Sequence, residues 1–386
     1  VELEGDFTGR HLRLEDGTVP PQALTQGGAV ALLPLPALDT VKLLVKAGPA
    51  PEAPACATLL EHGLETALLR LEWDENGQLT SIYDKREDRE LVPQGRKANA
   101  ITLYEDAWEL EYSHRRKGWG IGAPTAVTVV ENNALRAVVE FRYQFGKSQL
   151  VQRMTAYAHT ARVDFSTWVD WQERELVMKA DFPVDIHSNH ARFDIQFGSM
   201  ERPTTKNTSW EFAKFESVGH KWADYAEPGY GAALLNDCKY GFGCEGKTMH
   251  LTLCKGGTHP DERGDRGVKY FSYGFLPHEG GFSAKSVVRP AYRFNYAPAR
   301  CADCSSPVLN VSGGGIIVES VRRNAAGTVL RLYESERSAA KCKIEFSKDF
   351  DVYECDMLDE ERAGLGKTSA LELAFRPFEI KTLLLK

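Results

Sequence analysis

The sequence predicts an all-β protein of stacked antiparallel sandwiches, and three observations carry that prediction. Apolar residues nowhere sustain the i, i+3, i+4, i+7 spacing of an amphipathic helix for long. Short alternating or β-branched runs recur instead. Gly, Pro, Asn and Asp break them at short intervals, as turns between strands require. Many short strands with frequent turn signals pack as sheet on sheet. At 386 residues the chain exceeds one ordinary core, so two or three such units are expected.

The first apolar run, Ala29-Val30-Ala31-Leu32-Leu33, stops at Pro34, whose missing amide ends ladder pairing. Ala47-Gly48-Pro49-Ala50-Pro51-Glu52-Ala53-Pro54 is the best linker signal in the chain, and residues 1–50 are read as a small N-terminal β unit. Residues 68–73 run into Asp74-Glu75-Asn76-Gly77, a hairpin-like turn, and 79–83 resume the strand pattern. Residues 126–130 and 135–141 repeat the scheme around Glu131-Asn132-Asn133. Residues 162–170 alternate between a largely apolar and a largely polar face. A second break near Tyr296-Ala297-Pro298 precedes the strand-like run 307–311. The expected division is therefore 1–50, a large central sandwich over 51–297, and a C-terminal sandwich over 298–386.

Composition excludes several function classes. Net charge is −7, and the longest basic block is His114-Arg115-Arg116-Lys117. That argues against nucleic acid as a partner, because counterion release needs clustered Lys and Arg. No apolar run approaches the length of a membrane span. The N-terminus is acidic, lacks the profile of a signal peptide and starts without Met, as a trimmed piece would. Eight cysteines are scattered along the chain, unlike a disulfide framework. The tight pair, Cys301 and Cys304, has no second pair to complete a zinc ribbon and no thioredoxin-like context. Reduced thiols and a cytoplasmic location are expected.

Four segments are dense in polar and aromatic residues: 182–188, 201–210, 220–241 and 259–278. In the last, Pro260, Gly264 and Gly267 mark a loop between strands, and loops on rigid scaffolds carry function. It offers Asp261, Glu262 and Asp265 beside Arg263 and Arg266. Carboxylates accept hydrogen bonds from sugar hydroxyls, and guanidiniums donate several in a fixed fork. The competing reading is a surface loop that neutralises itself through internal Asp–Arg pairs of little energetic weight. Trp108, Trp119, Trp168, Trp171, Trp210 and Trp222 are candidate stacking platforms, although tryptophan is more often a packing residue. His187 and His190 have i, i+3 spacing, which on a strand places them on opposite faces and disfavours joint metal ligation.

Taken in order, residues 182–188, 196–203, 207–210, 220–224, 230–240, 260–265, 271–278 and 377–382 resemble the C-terminal half of glycoside hydrolase family 38, of the cytosolic and bacterial type. Residues 77–85 and 103–108 fit as well. The resemblance implies a galactose-mutarotase-like supersandwich for the central unit. It implies a retaining exo-α-mannosidase whose N-terminal barrel holds one divalent metal, usually zinc, and the nucleophilic aspartate, followed by a helical bundle. No segment here matches the barrel's metal or nucleophile motifs, so neither catalytic residues nor a metal site are expected in this chain. The implied partners are that barrel and bundle of the same full-length protein and mannose-containing oligosaccharides, with room for a homo-oligomer. Residues 260–267 would line the rim of the mannose pocket, with Arg263 or Arg266 reaching in. The alternative is an autonomous carbohydrate-binding or oligomerisation module; no evenly spaced aromatic platform is visible in the sequence to favour it.

Overall fold

The computed structural model describes residues 1–35, 40–105, 117–299 and 309–386. Antiparallel strands dominate, as the alternating pattern predicts. Near the N-terminus, Gly28–Ala31 lies between Glu2–Glu4 and Gln22–Thr25, and Arg10–Leu14 pairs with Leu43–Ala47. The two small sheets are tied by the buried amide of Gln22, which accepts from the Leu12 N–H at 2.7 Å and donates to the Leu12 carbonyl at 2.9 Å.

Residues 58–90 form a five-stranded meander. Its hairpin between Leu69–Trp73 and Leu79–Asp84 falls at the turn read from the sequence. There Asp74 Oδ1 accepts the amides of Asn76 and Gln78 at 3.0 and 2.9 Å. Gly77 has φ +72°, and a Cβ on it would lie 2.3 Å from the Tyr143 hydroxyl. Both conformation and close approach therefore demand glycine.

Two large sheets pack face to face behind this meander. The six-stranded sheet runs Trp119–Gly120, Ala100–Glu105, Leu176–Pro183, Thr248–Lys255, Gly241–Glu245, Ser217–Val218. The nine-stranded sheet runs Ala126–Asn132, Arg136–Phe145, Ser148–Tyr157, Val163–Trp171, Gly267–Glu279, Tyr230–Asn236, Trp222–Glu227, His190–Ile195, Gly198–Pro203. Phe182 of the first sheet contacts Phe165, Tyr273 and Phe275 of the second. One continuous core holds Leu71 and Ile82 of the meander together with these residues. Stacked antiparallel sheets are thus the architecture.

The C-terminal unit has its own core, including Leu330, Leu332, Ile344 and Leu383. Helical turns at Ala284–Val288 and Arg289–Asn295 wedge between the units: Val287, Val288 and Ala291 bury against Trp222 and Leu235 on one side and Ile317 and Tyr333 on the other. These turns and the helix Ser209–Ala213 were not foreseen from the sequence. Each is shorter than the window in which apolar spacing can separate helix from strand. Local signals were present all the same: Pro290 in a first turn, where no amide is needed, and the Thr208/Glu211 capping box. Among the described residues no helix is long and apolar enough to cross a membrane.

Candidate functional site

The loop read as site-like connects the two large sheets across one end of the sandwich, from Thr248–Lys255 to Gly267–Glu279. Its base is pinned by backbone bonds. Gly256 donates to the Leu176 carbonyl and accepts from the Glu175 amide, both at 2.7 Å. Asp265 closes the neck: its amide donates to the Lys255 carbonyl at 2.9 Å, and its Oδ2 accepts the Lys255 amide at 2.8 Å. Gly264 packs into this neck with φ +52°, and a Cβ there would sit 2.9 Å from the carbonyls of Lys255 and Gly257.

Within the loop the five charged residues divide into two groups. Asp261 Oδ1 accepts the Arg263 amide at 2.9 Å, a turn that the Gly264 amide completes on the Asp261 carbonyl at 3.2 Å. Arg266 folds back: its Nε and Nη2 donate to the carbonyls of Arg263 and Glu262 at 3.1 and 2.7 Å. Asp261, Asp265 and Arg266 thus hold the loop's shape. Glu262 and Arg263 lie at the exposed tip with no side-chain partner among the described residues. The expected internal Asp–Arg pairs are absent among the described residues; carboxylates and guanidiniums bind backbone instead, because a tight loop strands carbonyls and amides that need partners. Replacing Asp265 by alanine should therefore speed amide exchange across 256–267, while Arg263→Ala should leave it unchanged. Hydrogen exchange by mass spectrometry reads both.

The other sequence candidates separate clearly. Trp171 and Trp222 are fully buried packing residues, whereas Trp119 and Trp210 are exposed. Trp168 is half-buried on the outer face of the nine-stranded sheet. Trp108 and the Cys301/Cys304 pair lie outside the described residues. His187 precedes the strand that contains His190, and its Nε2 faces the Lys247 ammonium at 2.9 Å, so the two do not form a metal pair. Burial pushes the Cys238 and Cys254 thiols up to about 12, with Asp237 adding to the effect at Cys238. Neither supplies a thiolate at neutral pH. Among the described residues no three His, Cys, Asp or Glu side chains converge as a metal set.

One cluster escaped the sequence reading. Lys179, almost fully buried, donates to Glu216, which also accepts from Thr252, while Tyr104 lies 5.7 Å from the ammonium. Its members come from distant segments, so spacing gave no signal.

Comparison with known proteins bears on the whole chain. The family profile described as Glycosyl hydrolases family 38 C-terminal domain matches residues 64–263, and that described as Glycosyl hydrolases family 38 C-terminal beta sandwich domain matches 315–383. Alpha-mannosidase 2C1 of Homo sapiens is 32% identical over 345 residues, 83% of this chain and 33% of the relative. Alpha-mannosidase G of Dictyostelium discoideum is 33% identical over 337 residues, 80% of this chain and 31% of the relative. The chain thus spans about a third of the length of these curated relatives. A solved α-mannosidase from Enterococcus faecalis V583 superposes over 98% of this chain and 51% of that one, with TM-score 0.79 at 15% identity. At that identity the likeness speaks for the fold alone.

Proposed function

The chain belongs to glycosyl hydrolase family 38 through its C-terminal domains, and we propose that it is the non-catalytic β portion of a retaining, metal-dependent exo-α-mannosidase. Such an enzyme removes terminal α-mannosyl residues from oligosaccharides. In this reading an N-terminal barrel and helical bundle of the same full-length protein carry the divalent metal, zinc or another, and the paired carboxylates that retention requires. The present chain supports that barrel and lends the loop 260–267 to the rim of its mannose pocket. A cytoplasmic site of action is part of the reading, and the six free cysteines among the described residues fit it.

One observation carries the rim assignment. Three charged residues brace the loop through hydrogen bonds to its backbone, and Glu262 and Arg263 are left free at its tip. Preorganised donors and acceptors on a rigid support are what recognition of vicinal hydroxyls needs. Of the two candidate arginines, the geometry favours Arg263, because Arg266 is committed to the loop's own carbonyls.

Two measurements test the proposal. The purified 386-residue chain, with zinc added, is expected to show no turnover of aryl α-mannosides; robust turnover would overturn the non-catalytic reading. In the full-length protein, Arg263→Ala should lower kcat/KM by roughly tenfold to a hundredfold, the range of a lost hydrogen bond to a charged group. Unchanged kinetics in both Arg263→Ala and Glu262→Ala would remove the loop from the pocket.

A further inference from the structure

We infer that the outer face of the nine-stranded sheet carries a binding site for a pyranoside ring, with Trp168 and Tyr270 as its floor and the Glu140 ion pairs at its edge. Strand register builds this site. Trp168 on Val163–Trp171 stands directly opposite Tyr270 on Gly267–Glu279, and Val151 flanks it on the other side. In the next row Arg153, Ser166 and Ser272 lie side by side, with Glu140 opposite Arg153. Together they line a groove of about 490 Å³, within the size range of small-ligand sites.

Tyr270 is 75% exposed. A ring left this open on a sheet face gains nothing from the folded core and is available for stacking. Beside it the polar groups are fixed. The Glu140 side chain is 5% exposed, and its oxygens accept from Arg142 Nη2 at 2.5 Å and Arg153 Nε at 2.7 Å. Burial raises this carboxyl, but the two guanidiniums outweigh it and hold the group below its ordinary range. Both arginine side chains are more than half exposed, and a guanidinium has five N–H donors, so each keeps donors beyond those spent on Glu140. Across the groove Asp237 is held by the Ser272 amide at 2.9 Å.

This combination selects the ligand class. A pyranose presents an apolar C–H face that stacks on an aromatic ring, and vicinal hydroxyls at its edge that pair with guanidinium, carboxylate and serine. A covering protein domain fits less well: the cores of protein interfaces are depleted of charge, and here two ion pairs would have to be desolvated. Single-stranded nucleic acid would also stack, but Glu140 and Asp237 balance Arg142 and Arg153 and leave no net positive track. Tyr270 lies three residues beyond Gly267, roughly 10 Å along the strand from the end of the loop. A branched glycan held at the loop could therefore rest a second ring in the groove. The choice of a mannose-containing glycan rests on the proposed function; the ring-and-diol chemistry does not.

The test is a titration of the 386-residue chain, followed by tryptophan fluorescence and saturation-transfer NMR. The probes are methyl α-mannoside and a short α-linked manno-oligosaccharide, with mannitol as a control that has hydroxyls but no ring face. Both sugars should bind and mannitol should not. Tyr270→Ala should weaken binding roughly three- to tenfold, and Tyr270→Phe should preserve it. Circular dichroism confirms that each variant folds; Tyr270 is too exposed for its loss to open the core. Absence of sugar binding up to high millimolar concentration would overturn the inference. So would binding that survives in both Tyr270→Ala and Trp168→Ala. Binding lost in Arg263→Ala but kept in Tyr270→Ala would also overturn it while leaving the rim reading intact.

Discussion

Replacing Phe182 by alanine is expected to destabilise the protein by about 3–5 kcal/mol, toward the upper end of that range. The residue is fully buried between the two large sheets. Its ring stacks on Phe275 at 5.3 Å with an interplanar angle of 7°, and meets Phe165 and Tyr273 edge-on at 5.8 and 6.2 Å. All three neighbours lie on Val163–Trp171 and Gly267–Glu279, strands paired to each other along their length. They cannot move inward without breaking a ladder, so the cavity persists and its cost adds to the lost transfer energy. Phe182→Leu fills most of the space and should cost roughly 1.5 kcal/mol or less. Guanidinium denaturation reads both as a lower midpoint with unchanged slope. A loss below about 1 kcal/mol for the alanine variant would mean that the sheets relax around the gap.

The second large effect is expected at Asp84. This carboxylate ends the meander strand Leu79–Asp84 and is fully buried. It accepts the Arg86 guanidinium at 2.9 and 2.6 Å and the Tyr230 hydroxyl at 2.8 Å, while Arg86 also donates to the Pro277 carbonyl at 3.2 Å. The meander is thereby clipped to two strands of the nine-stranded sheet. Removing one member strands the others, a loss of about 3–5 kcal/mol for buried pairs. The lower end applies to Asp84→Ala, because Arg86 keeps 36% of its side chain in water.

Burial pushes the Asp84 carboxyl up, but Arg86 and Tyr230 outweigh it, so its folded pKa lies below the ordinary value. The stabilisation is therefore complete above the unfolded pKa of about 3.9 and is lost as pH falls through the lower folded value. The stability difference between the native chain and Asp84→Asn should be constant near neutrality and shrink below about pH 4. A difference that grew in acid would reverse the assignment.

How much of this was legible before the structure differs by residue. The turn at Asp74 to Gly77 was readable because everything it needs is local: an acceptor side chain, two amides and a glycine with positive φ. The alternation along 162–170 was readable because a strand repeats every two residues, and Val163–Trp171 buries its alternate side chains accordingly. The loop 260–267 could be located but not dissected. Five charged residues within six positions do not reveal which will spend themselves on the backbone. That choice follows from where the neck of the loop leaves its carbonyls and amides. The tryptophans were equally opaque: Trp168 and Trp171 sit on one strand, yet one faces a groove and the other the core.

By itself, then, the sequence determined the all-β class, many of the turns and the family, each written in short stretches of neighbouring residues. Tertiary structure alone decided that Tyr270 stands against Trp168, that Asp84 meets Tyr230, and that Glu262 and Arg263 are the residues left free. The reason is strand pairing: it joins segments far apart in the chain, and a register shift of one residue would turn every side chain to the opposite face.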